Sequence, residues 1–236
     1  QSLPNIDHVI HTAGYGQPRR FMENPIKTLK LCTSVTLGLF EKIKPGGNFL
    51  FISTSEVYSG LEASKYKESE IGRTNTTHYR SCYIEGKRSG EAICFAYKDM
   101  GINAKSVRLA LAYGPGTRKN DKRVINNFIE KALNGKITML DQGHAKRTYC
   151  YIKDATEIMW NIFLFGKKPI YNVGGKSETT IVGLAQKISE LMGVPLEVPK
   201  EDEKFQKGAP QNVSLDLSLI EEEFNKKYFV NIDRKS

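Results

Sequence analysis

The sequence predicts an α/β fold built on a doubly wound parallel sheet, with a small α/β domain toward the C-terminus. Two observations point to the sheet. Short apolar runs ending in small residues, a reading suited to buried parallel strands, alternate with stretches of helical periodicity. Their order, strand, helix, strand, helix, strand, leaves a crossover helix between successive strands, which makes those strands parallel. A third observation, a change of rhythm after Pro115, points to the smaller domain.

Taken in order, "IDHVIHTAG" reads as the first strand. "NPIKTLKLCTSVTLGLFEKIKPGG" reads as one helix, with apolar Ile26, Leu29, Val35, Leu37, Leu39 and Phe40 and a stop at Pro45-Gly46-Gly47. "NFLFIST" is the next strand, and an irregular polar stretch runs to about Thr77. A helix from about Tyr83 to Met100 ends at Gly101, and "AKSVRLALAYGP" is a third strand. Beyond Pro115, "DKRVINNFIEKALNGK" predicts a helix, "RTYCYIKD" a short strand, "ATEIMWNIFLFG" a helix and "IYNVGG" a strand. "TTIVGLAQKISELMGVP" predicts a helix capped by Thr179 or Thr180 and stopped by Gly193, and "LSLIEEEF" is a last amphipathic piece.

The chain has 236 residues, 39% hydrophobic and 26% charged, the balance of a soluble globular protein. No apolar run approaches the ~18 to 20 residues needed to cross a bilayer, so the expectation is a cytoplasmic protein without a membrane partner. The four cysteines, Cys32, Cys82, Cys94 and Cys150, are widely spaced, and neither they nor the four scattered histidines show metal-ligand spacing. Reduced thiols and no metal are expected. The formal charge of +9 calls for an anionic partner, yet the lysines are spread among glutamates, so small phosphorylated metabolites fit better than nucleic acid.

Among eleven tyrosines, two fall in the pattern Y-x-x-x-K: Tyr83 with Lys87, and Tyr149 with Lys153. Residues four apart are neighbours at roughly 5–6 Å on a helix but lie ~13 Å apart on a strand. Tyr149 sits in an alternating strand pattern and cannot use Lys153, whereas Tyr83 and Lys87 share a predicted helix. An ordinary phenol, with a pKa near ~10, is a poor base at neutral pH, and a nearby ammonium favours its ionised form. A half-buried tyrosine beside a surface lysine would look the same in sequence. "FISTSEVYS" supplies the context, because it places Ser53, Thr54, Ser55 and Glu56 at the carboxyl end of a strand, where open α/β sheets bind ligands.

With "HTAG", "NPIKTLK", "STSEVY", "CYIEGKR", "RLALAYGPG", "DKRVINNFI", "KRTYCYIKDA" and "YNVGG", the chain resembles the extended short-chain dehydrogenase/reductases that modify nucleotide sugars. Within that family the resemblance is closest to the UDP-glucuronate decarboxylases. It runs over about residues 8 to 175 and implies a Rossmann-like fold. By this resemblance residues 1–112, with 146–173 returning to them, are the remainder of an NAD-binding domain, and 113–145 with 174–236 form the substrate domain. The strand, glycine-rich turn and helix that open such a fold are not found in the sequence, so its first βαβ units are expected to be absent from this chain.

The resemblance also implies roles. Tyr83 takes the proton of a sugar C4 hydroxyl that Thr54 holds, while Lys87 binds the nicotinamide ribose and keeps Tyr83 acidic. Thr12, Ala13 and Ser53 line the NAD, and Arg123 and Arg147 face the nucleotide sugar. Glu56 and Ser55 complete the catalytic stretch. Related 4,6-dehydratases carry an aspartate where this chain has Ser55, and decarboxylation needs no acid there. The chain departs from the family pattern at Cys32, Leu111 and Asn212. The implied reaction is decarboxylation of UDP-glucuronate, with 4-epimerisation, 4,6-dehydration or 4-dehydrogenation as alternatives and a non-catalytic sugar-nucleotide-binding module as a reading from another class. A homodimer through helices at roughly 25–44 and 83–100 is implied as well.

Overall fold

The computed structural model describes residues 4–118, 121–200 and 212–232. Its main sheet is parallel throughout, in the order β1 (Ile6–His11), β2 (Ile43–Thr54), β3 (Asn103–Leu109) and β7 (Ile170–Val173). Helix α4 (Ser81–Asp99) packs on β2 and β3, and α2 (Pro25–Cys32) packs on α4. The opposite face carries α6 (Ile152–Phe165). The period-two alternation of β2 explains both contacts: Phe49 and Phe51 belong to the cluster with Cys32 and Cys94, and Leu50 to the cluster with Ile158 and Ile162.

Because all four strands are parallel, their carboxyl ends lie along one edge. Thr12 follows β1 there, and β2 ends at Thr54 and runs into a 3-10 turn, Ser55–Tyr58. Helix α4 then carries the chain back to β3, which places its first turns beside those strand ends.

A second, smaller sheet is centred on β6 (Lys146–Tyr151). β4 (Leu111–Tyr113) and β10 (Asn212–Val213) pair with it in parallel, and β8 (Ser177–Thr180) pairs antiparallel. Helices α5 (Val124–Leu133) and α7 (Ile181–Met192) enclose a separate core of Phe128, Ile137, Tyr149, Leu184 and Ile188. Helix α7 starts on Thr180, whose hydroxyl accepts from Gly183 N at 3.0 Å, and stops at Gly193 with φ 64°. β5 (Ile137–Thr138) pairs with β9 (Leu196–Glu197), and α8 (Ser218–Phe224) closes the described chain.

The structure differs from the sequence reading at several points. The long first helix is two helices, α2 and α3 (Ser34–Phe40), broken at Thr33 with φ −114° and ψ −82°. Thr28, Thr33 and Thr36 each turn a hydroxyl back onto the carbonyl four residues earlier, at 2.8–2.9 Å, a bond that weakens and bends a helix. Second, Pro45-Gly46-Gly47 lies inside β2 and not at the end of the helix. It forms a bulge: Ile6 pairs with Ile43 and His8 with Asn48, and Gly46 takes φ 75° within it. Third, the run "AKSVRLALAYGP" is shared between two sheets. Ala110 N donates to Val173 O at 2.8 Å, and beyond it Leu111 pairs with Tyr149 in the second sheet. A short helix that the sequence did not predict, α1 (Pro18–Glu23), begins on Pro18 and buries Phe21.

Gly90 sets how closely α4 approaches the sheet, because a Cβ there would overlap the Phe51 ring. At Gly86, one turn earlier, a Cβ would meet Cys32 at an ordinary 3.4 Å. Gly90→Ala should therefore destabilise the chain by about 1–3 kcal/mol through overpacking. Gly86→Ala should leave stability unchanged or raise it by up to ~1 kcal/mol, through its better helix propensity. Urea unfolding followed by far-ultraviolet circular dichroism distinguishes the two.

Candidate active site

Tyr83, Lys87 and Glu91 are buried and fall on one stripe of α4, at spacings of four. The Lys87 ammonium donates to Ile52 O at 2.6 Å and sits 4.8 Å from the Phe51 ring centroid and 5.9 Å from that of Tyr83. The Tyr83 ring is stacked on Phe21 at 4.5 Å with an interplanar angle of 3°, and the Thr54 side chain is near enough to its hydroxyl to favour the ionised form. Thr54 in turn caps the 3-10 turn, accepting from Glu56 N at 3.3 Å. Tyr83, Lys87 and Thr54 thus meet where β2 ends and α4 begins.

The electrostatics differ from the simple picture of a lysine acidifying a phenol. Burial, reinforced by the negative charge of Glu56, holds the Tyr83 phenol well above the ordinary tyrosine range. The Thr54 side chain and Arg80 act the other way. Burial also pushes the Lys87 ammonium below the usual lysine range. At neutral pH burial therefore favours the protonated form of the Tyr83 hydroxyl.

Sequence reasoning missed the residue that fixes Glu56. Arg80 grips its carboxylate in a two-pronged ion pair, Nε to Oε2 at 2.9 Å and Nη2 to Oε1, and lies 5.3 Å from the Phe21 ring centroid. Arg147 lies within electrostatic range of both Glu56 and Arg80 and donates through Nη1 to Lys146 O at 2.7 Å. The signal for Arg80 was one helical turn before Tyr83, but a lone arginine among 35 basic residues carries no weight without knowing that Glu56 faces it. Phe21 was missed because its six-residue helix has too few positions to show a period.

The remaining expected residues are distributed as follows. Thr12 and Ala13 are exposed just past the end of β1, and a Cβ on the neighbouring Gly14 would lie 3.6 Å from Lys87 Nζ. Ser55 is half-buried in the 3-10 turn. The Ser53 hydroxyl donates to Glu91 Oε1 at 2.5 Å within a buried network, and the residue is 3% exposed. Arg123 precedes α5 and forks onto Asp121 at 2.6–3.0 Å. Cys32 is buried against Gly86, and Leu111 packs in the second core. Tyr149, of the other Y-x-x-x-K, is buried in β6, while Lys153 stands in the first turn of α6.

Residues 1–174 match the model of the NAD dependent epimerase/dehydratase family. The chain belongs to that family. It is 36% identical over 191 residues to UDP-glucuronic acid decarboxylase 1 of Xenopus tropicalis, covering 80% of this chain and 45% of that protein. With UDP-glucuronic acid decarboxylase 6 of Arabidopsis thaliana it shares 34% identity, over 82% of this chain and 57% of that one. The chain thus spans about half the length of the curated relatives it matches. In fold it is similar to a UDP-glucose 4-epimerase of Thermotoga maritima solved with UDP-glucose, with a TM-score of 0.79 at 23% identity over 93% of this chain and 71% of that one. A dTDP-glucose 4,6-dehydratase of Streptomyces venezuelae solved with NAD gives 0.81 at 22%, over 98% and 70%. These family members share the parallel α/β framework on which Tyr83 and Lys87 are mounted.

The Glu56 charge raises Tyr83 and the Arg80 charge lowers it, so Glu56→Gln removes the first and leaves the second unopposed. Both changes have the same sign. The ionisation of Tyr83, followed by the 13Cζ signal of labelled tyrosine and assigned with Tyr83→Phe, should move to lower pH in Glu56→Gln.

Proposed function

We propose that the chain carries the proton-transfer end of an NAD-dependent nucleotide-sugar enzyme that oxidises the sugar at C4, and that the reaction is decarboxylation of UDP-glucuronate. The observation that supports this most is the placement of Tyr83, with the Thr54 side chain close to it and the Lys87 ammonium 5.9 Å from its ring centroid, at the carboxyl ends of the strands. A sugar hydroxyl entering there would meet a proton acceptor and a second hydroxyl together.

The residues present fit the nicotinamide end of the cofactor. Thr12, Ala13 and Gly14 give small, exposed positions beside Lys87, whose buried ammonium could hold the ribose. No glycine-rich turn of the pyrophosphate-binding kind is found among these residues. When bound, NAD would take hydride from C4 and return it at the end.

Tyr83 would accept the C4 hydroxyl proton, and Thr54 would hold the oxygen. The resulting ketone lies β to the C5 carboxylate, so the carbon–carbon bond to the carboxylate can break with its electrons drawn toward the ketone oxygen, releasing carbon dioxide. Proton return to C5 and, through Tyr83, to O4 completes a pentose with no net redox change. Ser55 supplies no strong acid, which fits decarboxylation better than loss of water across C5 and C6. Arg147, close to Glu56 and Arg80, would meet the substrate carboxylate and its developing charge.

The same reading includes a homodimer through α2, α3 and α4, where Ile26, Leu37 and Phe95 are exposed, and a cytoplasmic location, which suits the four free cysteines. Among the described residues no helix is long and apolar enough to cross a membrane.

With UDP-glucuronate and NAD the expected products are carbon dioxide and a UDP-pentose, read by gas release and mass spectrometry. A UDP-hexuronate epimer, or no turnover in a preparation that retains NAD, would overturn the decarboxylase reading. Tyr83→Phe should lower kcat by ~10²- to 10⁴-fold. Because Tyr83 is held protonated, the oxidation rate should rise with pH above neutrality, the sign expected of a base whose ionised fraction is small.

A further inference from the structure

We infer that Glu91 is the buried counter-charge to the Lys87 ammonium and a positioning residue that fixes this face of α4 against the strand end bearing Thr54. Glu91 lies one turn after Lys87 on the same stripe of α4, 6% exposed and three-fold anchored. Arg108 on β3 approaches it with Nε at 3.1 and 3.2 Å and Nη2 at 2.8 Å, and the Ser53 hydroxyl donates to it at 2.5 Å. Arg108 continues through Nη1 to the Tyr58 hydroxyl at 2.8 Å and to the carbonyls of Glu68 and Glu70 at 3.1 and 2.8 Å. Ser53 is the residue before Thr54, and Tyr58 ends the turn that Thr54 caps. One carboxylate thus ties together the helix that bears Tyr83 and Lys87, the strand that delivers Thr54 and the turn beyond it.

The groups facing Lys87 make Glu91 electrically distinctive. On α4 these are Tyr83 and Glu91, on α2 Cys32, and on β1 His11; β2 offers only the Phe51 ring and the Ile52 carbonyl. Burial keeps the Cys32 thiol and the Tyr83 phenol protonated and drives His11 toward its neutral form. Glu91, held in its ion pair with Arg108, is therefore the one anion in this set. A buried ammonium without an anion nearby sheds its proton more readily.

The inference rests on the reading of Tyr83 and Lys87 as the acid–base couple, but its test needs neither substrate nor cofactor. Lys87 is titrated through the 13Cε signal of labelled lysine, assigned by Lys87→Met, in the chain itself. In Glu91→Gln its midpoint should fall by about one pH unit, a tenfold loss of proton affinity. Glu91→Gln leaves Arg108 buried without a partner, so the companion variant is Glu91→Gln/Arg108→Met, which removes both charges and is tolerated more readily than a half-pair. A smaller fall in the same direction is expected there, because the Arg108 cation that Glu91→Gln leaves unopposed is removed as well. An unchanged Lys87 midpoint in either folded variant would make Glu91 a brace only and overturn the inference, as would a double variant that does not fold. A lowered midpoint in a protein that does not turn over UDP-glucuronate would sink the functional reading and leave this one intact.

Discussion

The close approach of α4 to β2 is the constraint on which the rest of the structure depends. Gly90 lets the helix lie against the Phe51 ring, and Glu91, the next residue, ends that contact in a buried ion pair with Arg108 and a bond to Ser53. A larger residue at 90 would push the helix away from the sheet. The depth, rotation and pitch of α4 are thereby fixed within a single turn. Lys87 and Tyr83, one and two turns nearer its start, are then delivered to the strand ends by a rigid lever.

A buried ion pair is weak evidence for stability, since desolvation offsets most of the attraction. The Glu91–Arg108 pair does something else. It is directional, it is satisfied on several sides, and it joins elements that hydrophobic packing alone would let slide. Phe49, Phe51, Cys32 and Cys94 form a greasy layer with no preferred register. The polar chain from Ser53 through Glu91 and Arg108 to Tyr58 and Asn172 supplies that register and reaches β7 as well. The site's second ion pair, Arg80 with Glu56, works on the other side of Tyr83 and fixes the turn after Thr54 against the start of α4.

Much of the frame was legible because it rests on local pattern. The apolar runs that became β1, the inner part of β2 and β3, the helical periods of α4 and α7, and the stops at Gly101 and Gly193 depend on neighbours a few residues away. The misplacements have local causes of a subtler kind. Threonine hydroxyls folded back on α2 and α3 break one helix into two, and Pro45-Gly46-Gly47 gave the sign of a helix stop while serving as a bulge in a strand. The division between β3 and β4 could not be read at all: the apolar run is continuous through Ala110, and only the arrival of Val173 on one side and Tyr149 on the other decides where it changes sheets.

Helical spacing put Tyr83 and Lys87 on one helix face and the strand end made Thr54 a candidate beside Ser53, Ser55 and Glu56; the roles given to them came from the resemblance to the family. The sequence by itself determined the fold class, the order of most elements and the identity of the central tyrosine and lysine. Only the tertiary structure decided which charges surround them. Arg80 meets Glu56 across 24 residues, Ser53 meets Glu91 across 38 and Arg108 meets Tyr58 across 50. The physical reason is that a proton affinity is set by burial and by charges a few ångströms away in space, and no spacing along the chain records either.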